Sequence, residues 1–290
     1  MIKNVKEFFL PKTIKDAVKL LESGEGRSVI LAGGTSFVLR PPKKAINIVS
    51  LRDLPLKKIQ VGDKKVSIGS MVSLAELSKA NQIKDYVGES LKEAAHRTAT
   101  TSLRNLITIG GNLVQIYSWS NLAVIALTAK MTIVLTGRKT RRINARDFFL
   151  KHPTQILKPN EILTAIEYNL PASKNILTSA FAKFSLTQND YSLLSAGIYL
   201  KIKERKIVDA GVAAGAISAL PQVLSNVEKF LISKHIEDID SLSAEVGKIA
   251  SSQINPKPDF RVTGEYKIAI AKTIFEDTMK KALNKIKKLG

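Results

Sequence analysis

The apolar positions of the chain change their period several times, and each change marks an element. Thr13-Ile14-Lys15-Asp16 has the form of a capping box, and Ile14, Ala17, Val18 and Leu21 then share one face of a helix that Gly24 and Gly26 stop. The β-branched run Ser28 to Leu31 predicts a strand. A second is expected from Ala45 to Val49, beyond a loop marked by Pro41-Pro42. Val66 to Gly69 starts a fresh unit, followed by the capping box Ser73-Leu74-Ala75-Glu76 and a helix expected from Gly88 to Arg97. The Thr- and Ser-rich segment 98–102 interrupts the pattern. Leu122 to Thr128 is apolar all round, as a buried helix is, while Met131 to Thr136 and Asn160 to Tyr168 read as strands.

Pro171-Ala172-Ser173-Lys174-Asn175 reads as a linker, and the organisation changes beyond it. Leu193 to Ile202 and Lys206 to Ala214 form a hairpin pattern about the charged turn Lys203-Glu204-Arg205. Helical periods follow, and in the last of them Ile268, Phe275, Met279, Ala282 and Ile286 share a face. The expected class is α+β. Residues 1–172 form an N-terminal domain of two α/β subdomains, about 1–55 and 56–172, and residues 176–290 an antiparallel sheet backed by helices.

Two stretches share a design. Ser28 to Ser36 is a strand that ends in Gly33-Gly34 and hydroxylated residues; Arg104 to Asn112 is an apolar run that ends in Gly110-Gly111 and Asn112. Glycine admits left-handed backbone and close approach, so successive N–H groups can converge on an anion. Two such turns could clasp a pyrophosphate. Neither is a Gly-x-Gly-x-x-Gly or a P-loop, and each taken alone reads first as a tight strand exit.

Composition narrows the chemistry. Of 290 residues 44% are hydrophobic and 24% charged, the balance of a globular protein. The absence of cysteine removes disulfides, thiolate metal sites and cluster ligation from this chain, and His96, His152 and His235 show no ligand spacing. No catalytic or metal-ligating constellation stands out. The net charge of +20 is dispersed along the chain with few aromatic residues, a pattern of solvation or of attraction to an acidic protein and not of nucleic-acid binding. No run is long and apolar enough to cross a membrane, and the first residues lack the apolar core of a secretory signal, so the expected compartment is the cytoplasm.

Five separated motifs, in order, resemble the medium, FAD-binding subunits of the molybdenum hydroxylases, the relatives of xanthine dehydrogenase, aldehyde oxidoreductase and aerobic carbon monoxide dehydrogenase. They are Ala32 to Ser36; Arg104 to Asn112; Asn160 to Leu163; Phe181, Lys183 and Asp190; and Asp259-x-Arg261 with Glu265-Tyr266-Lys267. The resemblance implies a PCMH-type FAD-binding domain followed by a C-terminal domain of the CO dehydrogenase flavoprotein type. It implies FAD held by Ala32, Gly33, Gly34, Thr35 and Ser36 and by Thr108, Ile109, Gly110, Gly111 and Asn112, with Asn121, Leu163 and Lys183 nearby. It also implies a large molybdopterin-binding subunit, a small subunit with 2Fe-2S clusters, and NAD, a quinone or another molecule as electron acceptor. The chain departs from the pattern at Ser118 and Asn121, where the family often carries Pro and Asp, and at Leu186, where many relatives carry a basic residue. The loop after Ser36 is short, and Gln115 to Ser120 is unusually aromatic, a stretch that could stack near the cofactor or cover it, with packing the first expectation for Trp119. Those departures keep a second reading open, a flavin-free structural or interaction homologue.

Overall fold

The computed structural model describes residues 5–42, 46–171 and 175–287, so the linker positions 172–174 and the expected strand start at Ala45 lie outside the described residues. The first sheet is parallel, with Asn47–Ser50 between Glu7–Phe9 and Ser28–Leu31. Helix Ile14–Ser23 begins where Thr13 accepts a hydrogen bond from the Asp16 N–H. Its expected face, Ala17, Val18 and Leu21, packs with Val49, Leu51, Leu54 and Leu56 and reaches Met71 and Ile162 of the next unit.

The second sheet is antiparallel, in the order Ile59–Val61, Lys65–Gly69, Ile162–Asn169, Thr132–Thr136, Thr140–Asn144. Lys65–Gly69 alternates as a half-buried strand does, whereas Thr132–Thr136 buries Ile133, Val134 and Leu135 in succession. The third sheet, also antiparallel, runs Gln222–Val223, Lys206–Gly215, Leu194–Lys203, Ile176–Phe184. Its central hairpin turns at Glu204 and Arg205, both left-handed, as a two-residue turn matched to strand twist requires. Helices Ser225–Leu231, Ile239–Gln253 and Gly264–Lys287 back it. Phe275, Met279 and Ala282 are buried as expected, and Ile286 packs against the same core. Ile268 is not: it lies near the start of its helix, 38% exposed, ahead of the stretch that meets the sheet.

Helix Asn121–Thr128 joins the two halves. All eight of its residues are buried, because it lies between its own domain's core and the third sheet. The contact is close: a Cβ at Gly211 would stand 1.8 Å from the Thr128 carbonyl oxygen. Ionic contacts reinforce the joint. Arg146 donates twice to Glu228, at 3.1 and 2.6 Å, and Glu228 Oε1 also accepts the Val212 N–H. Lys281 and Lys285 of the last helix pair with Glu93 and Glu89. Gly211→Ala is expected to destabilise the protein by about 1–3 kcal/mol or more, the cost of overpacking against backbone that cannot yield. Thermal unfolding followed by circular dichroism checks this; an unchanged midpoint contradicts it.

Candidate cofactor cleft

Strand Ser28–Leu31 delivers the chain into Ala32-Gly33-Gly34, and helix Thr35–Leu39 follows at once. Gly34 caps that helix with φ +79°, a left-handed conformation that favours glycine. Among the described residues, the N–H groups of Gly33, Gly34, Thr35, Ser36 and Phe37 find no protein acceptor. A left-handed residue beside right-handed ones turns such N–H groups toward one concavity, which suits an anion. Gly33 has a further constraint. A Cβ there would stand 1.7 Å from the Leu106 carbonyl oxygen, so the first glycine loop rests directly on the chain leading to the second.

The second glycine pair is not a strand exit, and here the expectation is corrected. Arg104 to Leu106 end helix Thr101–Leu106, Thr108 caps helix Ile109–Val114, and both glycines lie in that helix's first turn. Its N–H groups are already engaged. Ile109 donates to the Val72 carbonyl, Gly110 to that of Ser70 and Asn112 to that of Thr108, each at 2.9 Å, while Gly111 donates to Thr108 Oγ1 at 3.2 Å. The anion donors therefore come from the first loop. The second supplies a surface without side chains at Gly111, where a Cβ would approach Thr108 Oγ1 at 2.9 Å and Ala32 at 3.9 Å. The Ile109 side chain is wholly buried in the core and does not line the cleft.

Both loops line a cleft of about 1200 Å³. Ala32 to Ser36, Thr108, Gly110, Gly111, Asn112, Asn121, Leu163 and Lys183 all contribute to its lining, so the structure brings together every candidate except Ile109. Leu163 is a buried strand residue whose side chain also belongs to the core. Asn121 and Lys183 line the cleft with their polar groups turned to the protein. Asn121 Nδ2 donates to the Arg97 carbonyl and to Thr98 Oγ1, and its Oδ1 accepts from Ser192. Lys183 Nζ donates to the carbonyls of Arg97, Gln188 and Asp190, which satisfies all three of its donors. Burial first, then the Arg97 guanidinium, pull this ammonium down to about 8, against the pull of Asp190.

The other motif residues are anchors. Arg104, buried, donates to the Thr98 and Ala99 carbonyls and holds the left-handed turn at Ala99. Glu161 accepts two hydrogen bonds from Arg141 and one from the Lys158 N–H. At Asp259 burial opposes ionisation, but hydrogen bonds from Arg261 and Lys267 outweigh it and hold the carboxyl well below the usual range. Arg261 then donates to the Tyr191 and Ser192 carbonyls, and Lys267 to that of Ala216, fastening the cleft-side loops of the C-terminal domain.

The wall includes aromatic residues outside the candidate set. Tyr117, Trp119 and Tyr191 line the cleft, and Trp119, for which packing is the first expectation and stacking near a cofactor the second, stacks on Tyr117 there. Ser70 Oγ and Asn112 Oδ1, in residues of the same lining, are buried without a hydrogen-bond partner among the described residues. Aromatic and aliphatic walls with a few unpaired polar groups fit a ligand that is part planar and apolar, part anionic. Leu186 is 62% exposed and does not belong to the lining.

Comparison with known proteins gives the class. Residues 3–172 match the family described as the FAD binding domain in molybdopterin dehydrogenase, and residues 179–282 match the CO dehydrogenase flavoprotein C-terminal domain. The chain belongs to this family of FAD-binding oxidoreductase components, with FAD as its cofactor and the medium subunit of a molybdenum hydroxylase-type dehydrogenase as its type. It is 28% identical to the glyceraldehyde dehydrogenase medium chain of Sulfolobus acidocaldarius, over 91% of this chain and 93% of that one. It is 26% identical to the carbon monoxide dehydrogenase medium chain of Afipia carboxidovorans, over 97% and 98%. Among solved structures, a carbon monoxide dehydrogenase from Hydrogenophaga pseudoflava superposes with a TM-score of 0.86 over 97% of this chain and 98% of that one. At 22% identity that likeness is one of fold.

Two expectations follow. Gly111→Leu places a side chain in the cleft and lowers FAD affinity at least about tenfold, some 1.4 kcal/mol, whereas Gly33→Ala meets a carbonyl and lowers the melting temperature of the cofactor-free chain itself. Flavin retained after desalting and a melting curve separate the two effects. For Lys183, the folded value of about 8 lies below the ordinary 10.5, so between these the unfolded chain binds more protons and stability rises with pH. Wild type should therefore gain stability over Lys183→Met from pH 8 upward; a constant difference contradicts the assignment.

Proposed function

We propose that this chain is the electron-transfer flavoprotein subunit of a three-part molybdenum hydroxylase. A large subunit would oxidise the substrate at a molybdopterin centre, a small subunit would pass electrons through 2Fe-2S clusters, and an external acceptor such as NAD or a quinone would take them from this chain. The names of the relatives support an aldehyde, carbon monoxide or a heterocycle as the substrate class, and the setting we propose is the cytoplasm. No helix of the described residues is long and apolar enough to cross a membrane. The division into domains 1–172 and 176–290 is part of the same reading.

One observation carries the assignment: five consecutive N–H groups, Gly33 to Phe37, without an acceptor among the described residues, at the end of a large cleft with apolar walls. Bound FAD supplies the redox chemistry, accepting and giving electrons one or two at a time. The residues have simpler tasks. Gly33 and Gly34 bring backbone donors to the pyrophosphate, the hydroxyls of Thr35 and Ser36 add to them, and Gly111 leaves room opposite. Asn121 and Lys183 hold the 97–98 and 188–192 segments in place, so the ring end of the cleft keeps its shape. The lack of cysteine leaves the clusters to another chain.

The expected result is that the purified chain shows the two visible bands of oxidised flavin, or acquires them on adding FAD, and that a reduced iron–sulfur partner bleaches them. A chain that stays colourless with FAD supplied would instead be the flavin-free homologue.

A further inference from the structure

Four side chains from three separate segments touch in series along one wall of the cleft. Arg40, at the end of helix Thr35–Leu39, lies over the Tyr117 ring at 5.1 Å, and the Tyr117 hydroxyl donates to Ser36 Oγ at 3.3 Å. Tyr117 and Trp119 stack with centroids 5.1 Å apart and planes 7° apart. Trp119 meets Tyr191 at 4.4 Å and 38°. One end of the series is thus the loop with free N–H groups. The other is the 185–192 segment of the C-terminal domain.

Each end has its own fastening. The 185–192 segment is held from behind by Lys183 at Gln188 and Asp190 and by Arg261 at Tyr191 and Ser192. The glycine loop rests on Leu106. Across the cleft the aromatic series connects them. Its rings forgo the burial that core aromatics gain: Tyr117 and Trp119 are half-buried and Tyr191 is 55% exposed. Rings kept at the edge of a cleft, in contact and in fixed orientation, serve the space they border.

We propose that Trp119 is a positioning residue for the cofactor, joining the phosphate-binding loop to the 185–192 segment so that both ends of the cleft hold a bound dinucleotide together. The proposal rests on the flavin reading above. With the indole in place, FAD leaves only when the series opens; without it, Tyr117 and Tyr191 have no common neighbour and the two ends loosen independently.

The test uses the full chain loaded with FAD and follows the rise of free-flavin fluorescence on dilution. Trp119→Ala is expected to release FAD about tenfold faster, the loss of two aromatic contacts, and Trp119→Phe, which keeps a stacking ring, less than about threefold faster. Tyr117→Leu also speeds release, but adds little to Trp119→Ala, because one break already divides the series. Melting of the cofactor-free variants distinguishes positioning from packing: a purely structural role lowers it and leaves release unchanged. Wild-type release from Trp119→Ala, or effects of the two substitutions that simply add, overturns the proposal. If Trp119→Ala does not fold, Tyr117→Leu and Trp119→Phe carry the same comparison, and wild-type release from Tyr117→Leu overturns it. A wild-type chain that takes up no FAD overturns the flavin reading and this proposal with it.

Discussion

The fold's central constraint is a contact that no side chain could occupy: Gly33 lies against the Leu106 carbonyl, so the backbones of the two N-terminal subdomains meet directly. The N-terminal side of the cleft is built around it. The approach brings Ala32 to within van der Waals reach of the Gly111 position, sets the free N–H groups of residues 33–37 at the junction, and leaves Thr108 to cap its helix beside them. Glu22 adds an ionic tie across the same boundary, accepting from Arg138 and from Asn160. A methyl group at residue 33 would force the two backbones apart at this point.

Much of this was legible in the residues because the periods were clean. The capping box at Ser73, the cap at Thr13 without the reciprocal bond, the all-apolar helix near 122–128, the hairpin about 203–205 and most of the last helix's buried face follow from spacing alone. The second glycine pair was misread for a physical reason. Leu106, Ile107 and Ile109 suit a strand as well as two helix ends, and what decides is Thr108, whose side chain caps the following turn once Val72 and Ser70 accept its N–H neighbours. Those partners lie more than thirty residues away, and no local pattern announces them.

The candidate residues likewise divide by what their polar atoms reach. The sequence can place Asn121 and Lys183 near a cofactor, but only three-dimensional contacts show that the amide and the ammonium are spent on carbonyls and hydroxyls of their own chain. Asp259, Arg261 and Lys267 show the same economy at greater range, a motif that reads as functional and works by fastening loops. Tyr191 carried no signal in the sequence, since its ring reaches the cleft only because Arg261 holds its backbone there.

The buried helix Asn121–Thr128 has a mechanical meaning as well. Because its eight residues are shared between the core of the N-terminal domain and the third sheet, with Arg146 and Glu228 locked alongside, the two domains cannot swing apart as hinged halves without stripping that helix of its cover. The two domains are thus coupled through one shared helix. Cofactor entry must then be accommodated by short surface segments at the mouth of the cleft and not by a swing of one domain away from the other.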